Sequence, residues 1–459
     1  MMLPASVFAE TVTFPFKGAA YISYAAGEYT SPASAVSLDD LKVTGANWAS
    51  LLVTYYMNGK SANAMSVDAV KTPTDGDVRQ AIRDMHARGI KVMLKPHVDV
   101  DDGTWRGEIT PANAASWFKS YSTFMTKYAQ IAEQEGAELY CVGCELKTLS
   151  GSAYSSFWTD VISSIRGVYH GPLTYAANGS NVPDEYRTVA FWDQLDYAGV
   201  DAYFPLTSFF SPTVPELVNA WSGNRLGQNF VIEMRSFQST LGKPVLFTEI
   251  GYQSADGANQ TPWYTNGSFN EAEQQKCFEA ALEVWSKEPW FQGMFWWGWS
   301  VPPTPPGDTQ FSARGKAAQT TLQTWYLPPS PSGPPVMDGA TAGSAAIHSL
   351  RELSLSREPK VRARTIRLRG TLPVSDNFVP AQMQVTIDSG GMERTLTLNA
   401  RGDARGGGMA LNIRLKKRSR HVFAQDALFE LNLRNFDPAT ALPVVVHFNG
   451  VAFRSPALP

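Results

Sequence analysis

Eight short apolar runs, each followed by a polar or helical stretch, constrain the fold of this 459-residue chain more than any other feature. They are rich in Val, Leu, Ile and aromatic residues, and they occupy residues 18–24, 48–55, 90–98, 138–143, 172–176, 195–203, 243–249 and 293–299. Apolar runs that alternate with helices are typical of buried parallel strands with crossover helices. Eight such units in about 300 residues favour a closed (β/α)8 barrel over an open sheet.

Three of the intervening segments carry clear helical signals. Thr74 stands three residues before Asp77, which is the spacing of a capping box, and Gly89 is placed to end that helix. Residues 111–135 and 270–287 show apolar side chains at helical spacing. These patterns predict helices on the outside of the barrel.

A proline-rich linker at 328–336 divides the chain into two domains. The barrel is predicted over 10–327. After the linker the apolar residues alternate with period two, at 365–369, 382–387, 410–415 and 428–433, and Gly-rich turns separate these runs. This pattern predicts a small antiparallel β-sandwich over 337–459. Its role stays open between a carbohydrate-binding or adhesion module and a stabilising appendage.

The charge and the hydropathy of the chain indicate which classes of partner it binds. The net charge of −3 combines an acidic first part with a basic last part, and 18% of the residues are charged. The acidic part is unlike a nucleic-acid binder, and the basic part is interpreted as a solvated face. No apolar stretch is long enough to span a membrane. Residues 1–9 resemble the remnant of a signal peptide, which predicts a secreted or periplasmic protein.

Three cysteines, Cys141, Cys144 and Cys277, form no disulfide framework. Residues three apart on a strand point to opposite faces, so Cys141 and Cys144 are interpreted as small buried fillers rather than as a redox or metal pair. The sequence predicts neither a metal site nor a cofactor.

Two glutamates close two of the apolar runs, Glu145 after the fourth and Glu249 within the seventh. A carboxylate is costly to place at the end of a hydrophobic strand, and barrel enzymes build their sites from the carboxyl ends of strands. If about 5–5.5 Å separates the two, one can attack an anomeric carbon while the other protonates the leaving oxygen. The residues alone do not assign the two roles.

Other polar and aromatic residues gather at the same predicted end of the barrel, as a sugar site requires. The candidate substrate contacts are Lys95, His97, Trp105, Arg106, Asn178, Asp201, Tyr203, Tyr252, Trp296 and Trp297. Among them, Tyr203 is a candidate to donate a hydrogen bond to the nucleophile.

The segments 17–18, 92–109, 142–146, 195–206, 248–252 and 295–299 resemble glycoside hydrolase family 113, the retaining β-mannanase family of clan A. This resemblance implies that Glu145 is the acid/base, that Glu249 is the nucleophile, and that Trp296 or Trp297 forms the floor of the −1 sugar site. The chain departs from the clan at Cys144, where the clan often has an asparagine that contacts the sugar 2-hydroxyl. That departure fits the axial 2-hydroxyl of mannose, or leaves the contact to another residue such as Asn178.

The sequence is compatible with three functions. The first is a retaining endo-β-1,4-mannanase that needs no cofactor and acts on polysaccharide or oligosaccharide. The second applies the same machinery to another β-linked glycan, such as a glucan, a xylan or an exopolysaccharide. The third is a non-catalytic glycan-binding protein, which the paired glutamates disfavour. The sequence leaves endo or exo action and the oligomeric state open.

Overall fold

The computed structural model of the chain describes residues 14–179 and 184–327, together with nine strands between residues 347 and 454. The chain divides into two compact units, residues 1–332 and 333–459. The predicted signal-peptide remnant at 1–9 and the predicted linker at 328–336 lie outside the described residues.

The first unit is a closed barrel of eight parallel strands that pair in chain order. This confirms the barrel predicted from the eight apolar runs. The strands are β1 Phe16–Ile22, β2 Trp48–Met57, β3 Lys91–Val100, β4 Leu139–Cys144, β5 Leu173–Asn178, β6 Ala198–Asp201, β7 Val245–Ile250 and β8 Phe291–Ser300.

Helices surround the barrel. They are α1 Pro32–Lys42, α2 Asp75–His86, α3 Ala114–Glu135, α4 Ser155–Arg166, α5 Val214–Ser222, α6 Phe230–Leu241, α7 Glu271–Trp285 and α8 Ala317–Tyr326. Thr74 and Asp77 form the predicted capping box at the start of α2. The alternation is less regular than predicted: between β5 and β6 the described residues form short 3-10 helices, whereas both α5 and α6 lie between β6 and β7.

Two apolar layers hold the barrel together. The larger lies between the strands and the helices, and the smaller fills the barrel interior with side chains that include Phe16, Trp48, Met93 and Phe295. Cys141 and Cys144 both belong to the interior layer. The expectation of opposite faces is wrong because the pairing register of β4 with β5 shifts between these two residues.

The second unit contains the strands β9 Ile347–Ser349, β10 Thr365–Val374, β11 Gln384–Ser389, β12 Met392–Thr397, β13 Asp403–Gly406, β14 Met409–Leu415, β15 Gln425–Arg434, β16 Val444–Phe448 and β17 Val451–Arg454. They form a four-stranded sheet in the order β10-β15-β14-β13 and a five-stranded sheet in the order β12-β11-β16-β17-β9. The pairs are antiparallel except for β9 with β17. Face-to-face packing of the two sheets into a sandwich stays a prediction.

Across the described part of the chain, no helix combines the length and the apolarity needed to cross a lipid bilayer.

Candidate active site

A cleft of about 380 Å³ opens at the carboxyl ends of the barrel strands. Both strand-end glutamates face it. Its lining residues are Trp105, Arg106, Glu145, Asn178, Tyr203, Glu249, Trp263, Trp297 and Phe311. Five of the ten predicted substrate contacts therefore lie in this cleft, together with the predicted catalytic pair.

Glu249 lies near the end of β7 and is surrounded by donors. The ammonium of Lys95 donates to its Oε1, and the hydroxyl of Tyr203 donates to its Oε2 at 2.8 Å. Only 4% of Glu249 is exposed. A buried carboxylate is stable as an anion only when it is paired and hydrogen-bonded, and these two partners meet that condition.

Glu145 follows the last residue of β4 and is half-buried. Its carboxylate accepts hydrogen bonds from the side-chain amide of Asn178, at 2.6 Å, and from the indole N–H of Trp105, at 3.1 Å. Both donors are neutral, in contrast to the ammonium beside Glu249. The backbone of Glu145 has φ of 52°, in the left-handed region that side chains other than glycine seldom adopt.

Two basic residues, Lys95 and His97, are buried beneath the cleft. Lys95 is fully buried; burial lowers its pKa, but the nearby carboxylates Asp201 and Glu249 outweigh burial and hold the pKa well above its usual value. Burial, followed by the charges of Arg106 and Lys95, holds the pKa of His97 well below its usual value, so the imidazole is neutral.

The tautomer of His97 follows from its partner. The guanidinium of Arg106 donates to Nδ1 of His97 at 2.6 Å, and because a guanidinium cannot accept, the proton of the imidazole is on Nε2. That Nε2 is buried, has no hydrogen-bond partner among the described residues, and lies 3.9 Å from Oε1 of Glu249. Arg106 is itself held by Asp99, whose carboxylate lies 2.6 Å from the guanidinium.

Asp201 lies below Glu249 rather than in the cleft. It is fully buried, accepts a hydrogen bond from the hydroxyl of Thr248 at 2.7 Å, and lies 3.6 Å from the ammonium of Lys95. Burial, and then the charge of Glu249, raise its pKa well above the usual value. Lys95, His97 and Asp201 therefore lie beneath Glu249 and outside the cleft lining, and their predicted contact with substrate stays a prediction.

Cys144, Glu249 and His97 bring a thiol, a carboxylate and an imidazole within 4.8 Å of one another, a set that could in principle hold a metal ion. The chemistry of these donors does not fit a metal. The proton on Nε2 of His97 occupies the lone pair that a metal would need, and the ammonium of Lys95 already contacts Glu249.

Trp296 and Trp297 point to opposite sides of β8. Trp297 lies in the cleft, whereas Trp296 is 2% exposed, stacks on Phe278 of α7 with ring centroids 3.7 Å apart, and donates to the hydroxyl of Tyr326 at 2.9 Å. Tyr252 is fully buried outside the cleft lining. Trp296 and Tyr252 therefore lie outside the cleft lining, and their predicted contact with substrate stays a prediction.

The substrate contacts predicted from the sequence omit two residues that line the cleft. Trp263, on the loop after β7, is 47% exposed, and Phe311 lies on the loop after β8. A second cavity of about 440 Å³ shares Trp297 and Phe311 with the first and continues toward Tyr24 and the loop at 302–305. The cleft is thus longer than one sugar ring. Tryptophans that follow strands were a usable signal for Trp263, but no pattern marked Phe311.

A family model and three similar solved structures carry the same family description. A sequence model described as Glycoside Hydrolase Family 113 matches residues 18–315. The solved structure of the GH113 β-mannanase AaManA from Alicyclobacillus acidocaldarius, in complex with ManMIm, is 28% identical, with a TM-score of 0.60, covering 68% of this chain and 97% of that one. Two structures of GH113 β-1,4-mannanase are 22% identical, with TM-scores of 0.61 and 0.60, covering 68% of this chain and 98% or 99% of theirs; they support the fold. Among curated proteins, none matches this sequence.

Proposed function

Because the chain belongs to glycoside hydrolase family 113, we propose that it cleaves the β-1,4 linkages of mannan by a retaining double displacement. One observation carries this proposal: Glu145 and Glu249 line the same cleft but have donors of different charge. Glu249 is bonded to an ammonium and a hydroxyl, and Glu145 to an amide and an indole. Such an asymmetric pair suits one permanent anion and one proton carrier.

In this proposal Glu249 is the nucleophile. Lys95 and Tyr203 stabilise its negative charge and fix the carboxylate in the orientation that faces the cleft. Its oxygen forms a bond to the anomeric carbon as the bond from that carbon to the leaving sugar oxygen breaks. The product of this step is a covalent glycosyl ester of Glu249.

Glu145 is the acid/base. Its proton passes to the leaving oxygen in the first step. In the second step the carboxylate takes a proton from a water molecule, whose oxygen bonds to the anomeric carbon and releases Glu249. Asn178 and Trp105 hold the carboxyl group in place for both transfers.

The aromatic walls suit a sugar chain. Trp105, Trp263 and Trp297 line the cleft, and a flat indole face can stack on the apolar face of a pyranose. Mannan is proposed as the substrate because the β-mannanase from Alicyclobacillus acidocaldarius shares the fold at 28% identity. Cys144, at the position where the clan often has asparagine, lies 3.8 Å from Glu249 and is compatible with the axial 2-hydroxyl of mannose.

The roles of the two glutamates are tested by Glu145→Ala and Glu249→Ala, with Glu108→Ala as a control. Glu108 lies in the short 3-10 helix Arg106–Glu108 beside the cleft, and its exposed carboxylate pairs with Lys60. We expect each catalytic variant to lose at least about 10³-fold in kcat on mannan, with circular dichroism unchanged. Near-normal hydrolysis by Glu249→Ala would contradict the proposal.

Azide separates the two roles. In Glu249→Ala, azide enters on the face that the nucleophile has vacated and gives the α-glycosyl azide. In Glu145→Ala, azide attacks the glycosyl ester of Glu249 and gives the β-glycosyl azide. Proton NMR of the products from an activated aryl β-mannoside distinguishes the anomers. If Glu249→Ala gave the β-azide and Glu145→Ala gave the α-azide, the roles of the two glutamates would be exchanged.

The substrate is tested separately with soluble mannan, glucan and xylan, followed by sizing of the products. We expect release of reducing ends from mannan, with internal cleavage giving short oligosaccharides. Preferential hydrolysis of glucan or xylan would replace mannan with that glycan, and glycan binding without release of reducing ends would contradict catalysis altogether.

A further inference from the structure

A third buried carboxylate lies behind the acid/base side of the cleft and has no part in the chemistry above. Glu185 is on the short 3-10 helix Glu185–Arg187 that follows β5, and it is fully buried. Both of its oxygens accept hydrogen bonds. The hydroxyl of Tyr175 donates to Oε1 at 2.6 Å, and the backbone N–H of Asn178 donates to Oε2 at 2.8 Å.

The two donors to Glu185, Tyr175 and Asn178, each make a further hydrogen bond at or next to Glu145. The hydroxyl of Tyr175 accepts a hydrogen bond from the backbone N–H of Leu146, the next residue after Glu145, at 2.8 Å. The side-chain amide of Asn178 donates to the carboxylate of Glu145 at 2.6 Å. Glu185 thus connects through Tyr175 to the backbone of Leu146, which follows Glu145. It connects through Asn178 to the carboxylate of Glu145 itself.

Glu145 needs such support because of its backbone. A residue other than glycine at φ of 52° is strained, and it persists only where its surroundings fix it. The N–H of Glu145 donates to the carbonyl of Ala176 at 2.8 Å, and the N–H of Leu146 donates to Tyr175. The orientation of the carboxyl group therefore depends on β5, whose end Glu185 holds.

Burial of Glu185 is unfavourable for the charged form. Burial raises its pKa to about 7, and this effect exceeds the opposing hydrogen bonds from Tyr175, Asn178 and Ser150. None of the ion pairs found among the described residues includes Glu185. An uncompensated carboxyl group in an apolar site costs stability, so its contribution lies in the geometry that its two acceptor oxygens impose.

We propose that Glu185 is a positioning residue, which fixes Glu145 for proton transfer through Tyr175 and Asn178. The inference rests on the proposed function, because it assumes that Glu145 is the acid/base. It goes beyond that function by adding a residue that touches neither substrate nor the reacting atoms.

The test is Glu185→Gln, which keeps the shape of the side chain but makes one of the two oxygen positions a permanent N–H donor. The readout is kcat/KM on two substrates, mannopentaose, whose leaving sugar needs a proton, and 2,4-dinitrophenyl β-mannobioside, whose leaving group does not. We expect a loss of at least about tenfold on mannopentaose and less than about threefold on the aryl substrate, since general acid catalysis contributes 10²–10⁴-fold.

Glu273→Gln is the matched control. Glu273 is also fully buried and accepts from backbone N–H groups, those of Gly257 and Asn259 on the loop after β7. Its substitution tests the loss of a buried carboxylate that does not lead to Glu145. Any change in kcat/KM should be equal on the two substrates.

Tyr175→Phe provides a second route to the same answer, because it removes only the hydroxyl that links Glu185 to Leu146. It should show the same selective loss on mannopentaose, and it decides the question if Glu185→Gln does not fold. Equal losses on both substrates, or no loss on either, would overturn the proposal. Glu145→Ala, measured beside them, distinguishes failure of the acid/base assignment from failure of the role of Glu185. If Glu145→Ala lacks the selective loss on mannopentaose, the acid/base assignment of Glu145 is wrong. If Glu145→Ala alone shows that loss, only the positioning role of Glu185 is wrong.

Discussion

At the scale of single residues, the charge of the hydrogen-bond donors distinguishes the two carboxylates of the cleft. Lys95 donates to Glu249 and is itself buried against Asp201, so a cation and two acidic groups form one compact buried set. The described residues that donate hydrogen bonds to Glu145 are the neutral groups of Asn178 and Trp105. A carboxyl group hydrogen-bonded to neutral donors can hold or release a proton without breaking a hydrogen-bonded ion pair, as an acid/base must.

Tyr203→Phe tests how far one hydroxyl supports Glu249. The substitution removes the 2.8 Å hydrogen bond from Tyr203 to Oε2 of Glu249. A hydrogen bond to a charged group contributes about 1.5–3 kcal/mol, so we expect kcat to fall by about 10- to 100-fold. Tyr252→Phe is the control, because the hydroxyl of Tyr252 is buried and makes no hydrogen bond within the part of the chain that the structure describes. Similar kinetics for both variants would show that the Tyr203 hydroxyl has no effect on the nucleophile.

Glu185 also predicts how stability depends on pH. Its pKa is about 7 in the folded protein, against 4.5 in an unfolded chain, because burial disfavours the charge; Tyr175 and Glu145 face it. A raised pKa means that the folded protein binds the proton more tightly, so the contribution is fully present below pH 4.5 and is lost as the pH rises through 7. Compared with Glu185→Gln, the wild type should lose about 2 kcal/mol of unfolding free energy between pH 5 and pH 8. Denaturant unfolding of both proteins at the two pH values measures this difference, and a constant difference would contradict the buried titration.

At the scale of elements, β8 shows how one strand supplies both the wall of the cleft and the outer core. Phe295 fills the barrel interior, Trp296 faces α7, and Trp297 lies in the cleft. Gly298 then adopts φ of 89°, and the pairing of β8 with β1 shifts register at this point. The bulge returns Trp299 to the outer side, where its indole N–H donates to the carbonyl of Ser37.

Gly298→Ala tests whether this bulge positions Trp297. A Cβ at Gly298 would lie 2.8 Å from Cβ of Phe311, which also lines the cleft, so the substitution adds a steric clash to the strain of a positive φ. Gly307→Ala is the control, because Gly307 has φ of 75° with no atom within 4 Å of an added Cβ. We expect about 1 kcal/mol of destabilisation in the control and more in Gly298→Ala, with KM raised only in Gly298→Ala. Equal effects on KM would show that the bulge does not set the cleft.

At the scale of the whole molecule, the sequence predicted the barrel and the pair of glutamates because both depend on local pattern. Apolar runs reveal strands, and strand ends reveal which residues face one rim. How deep each side chain lies below the rim of the barrel could not be predicted from local sequence pattern. β3 continues to Val100, beyond its predicted end, so Lys95 and His97 lie in the interior below the rim. Glu185 was missed because a loop glutamate has no periodic signal, and its burial depends on Tyr175 from another element.

The division of the chain into two units leads to a last prediction, that residues 1–327 suffice for catalysis. Every described residue that lines the two cavities lies between Ile22 and Ser312, and the family match ends at residue 315. The barrel closes on itself, and α8 is tied to β1 by the ammonium of Lys17, which donates to the carbonyl of Tyr326 at 2.7 Å. We therefore expect the shortened chain to hydrolyse mannopentaose with a kcat/KM within roughly twofold of the full chain, since a site built within one domain does not depend on its neighbour.

Parallel assays on insoluble mannan measure what residues 328–459 add: a rate that falls on the insoluble polymer alone would assign them a role in binding the polysaccharide. A tenfold loss on mannopentaose, with the barrel still folded by circular dichroism, would instead show that the second unit takes part in the site.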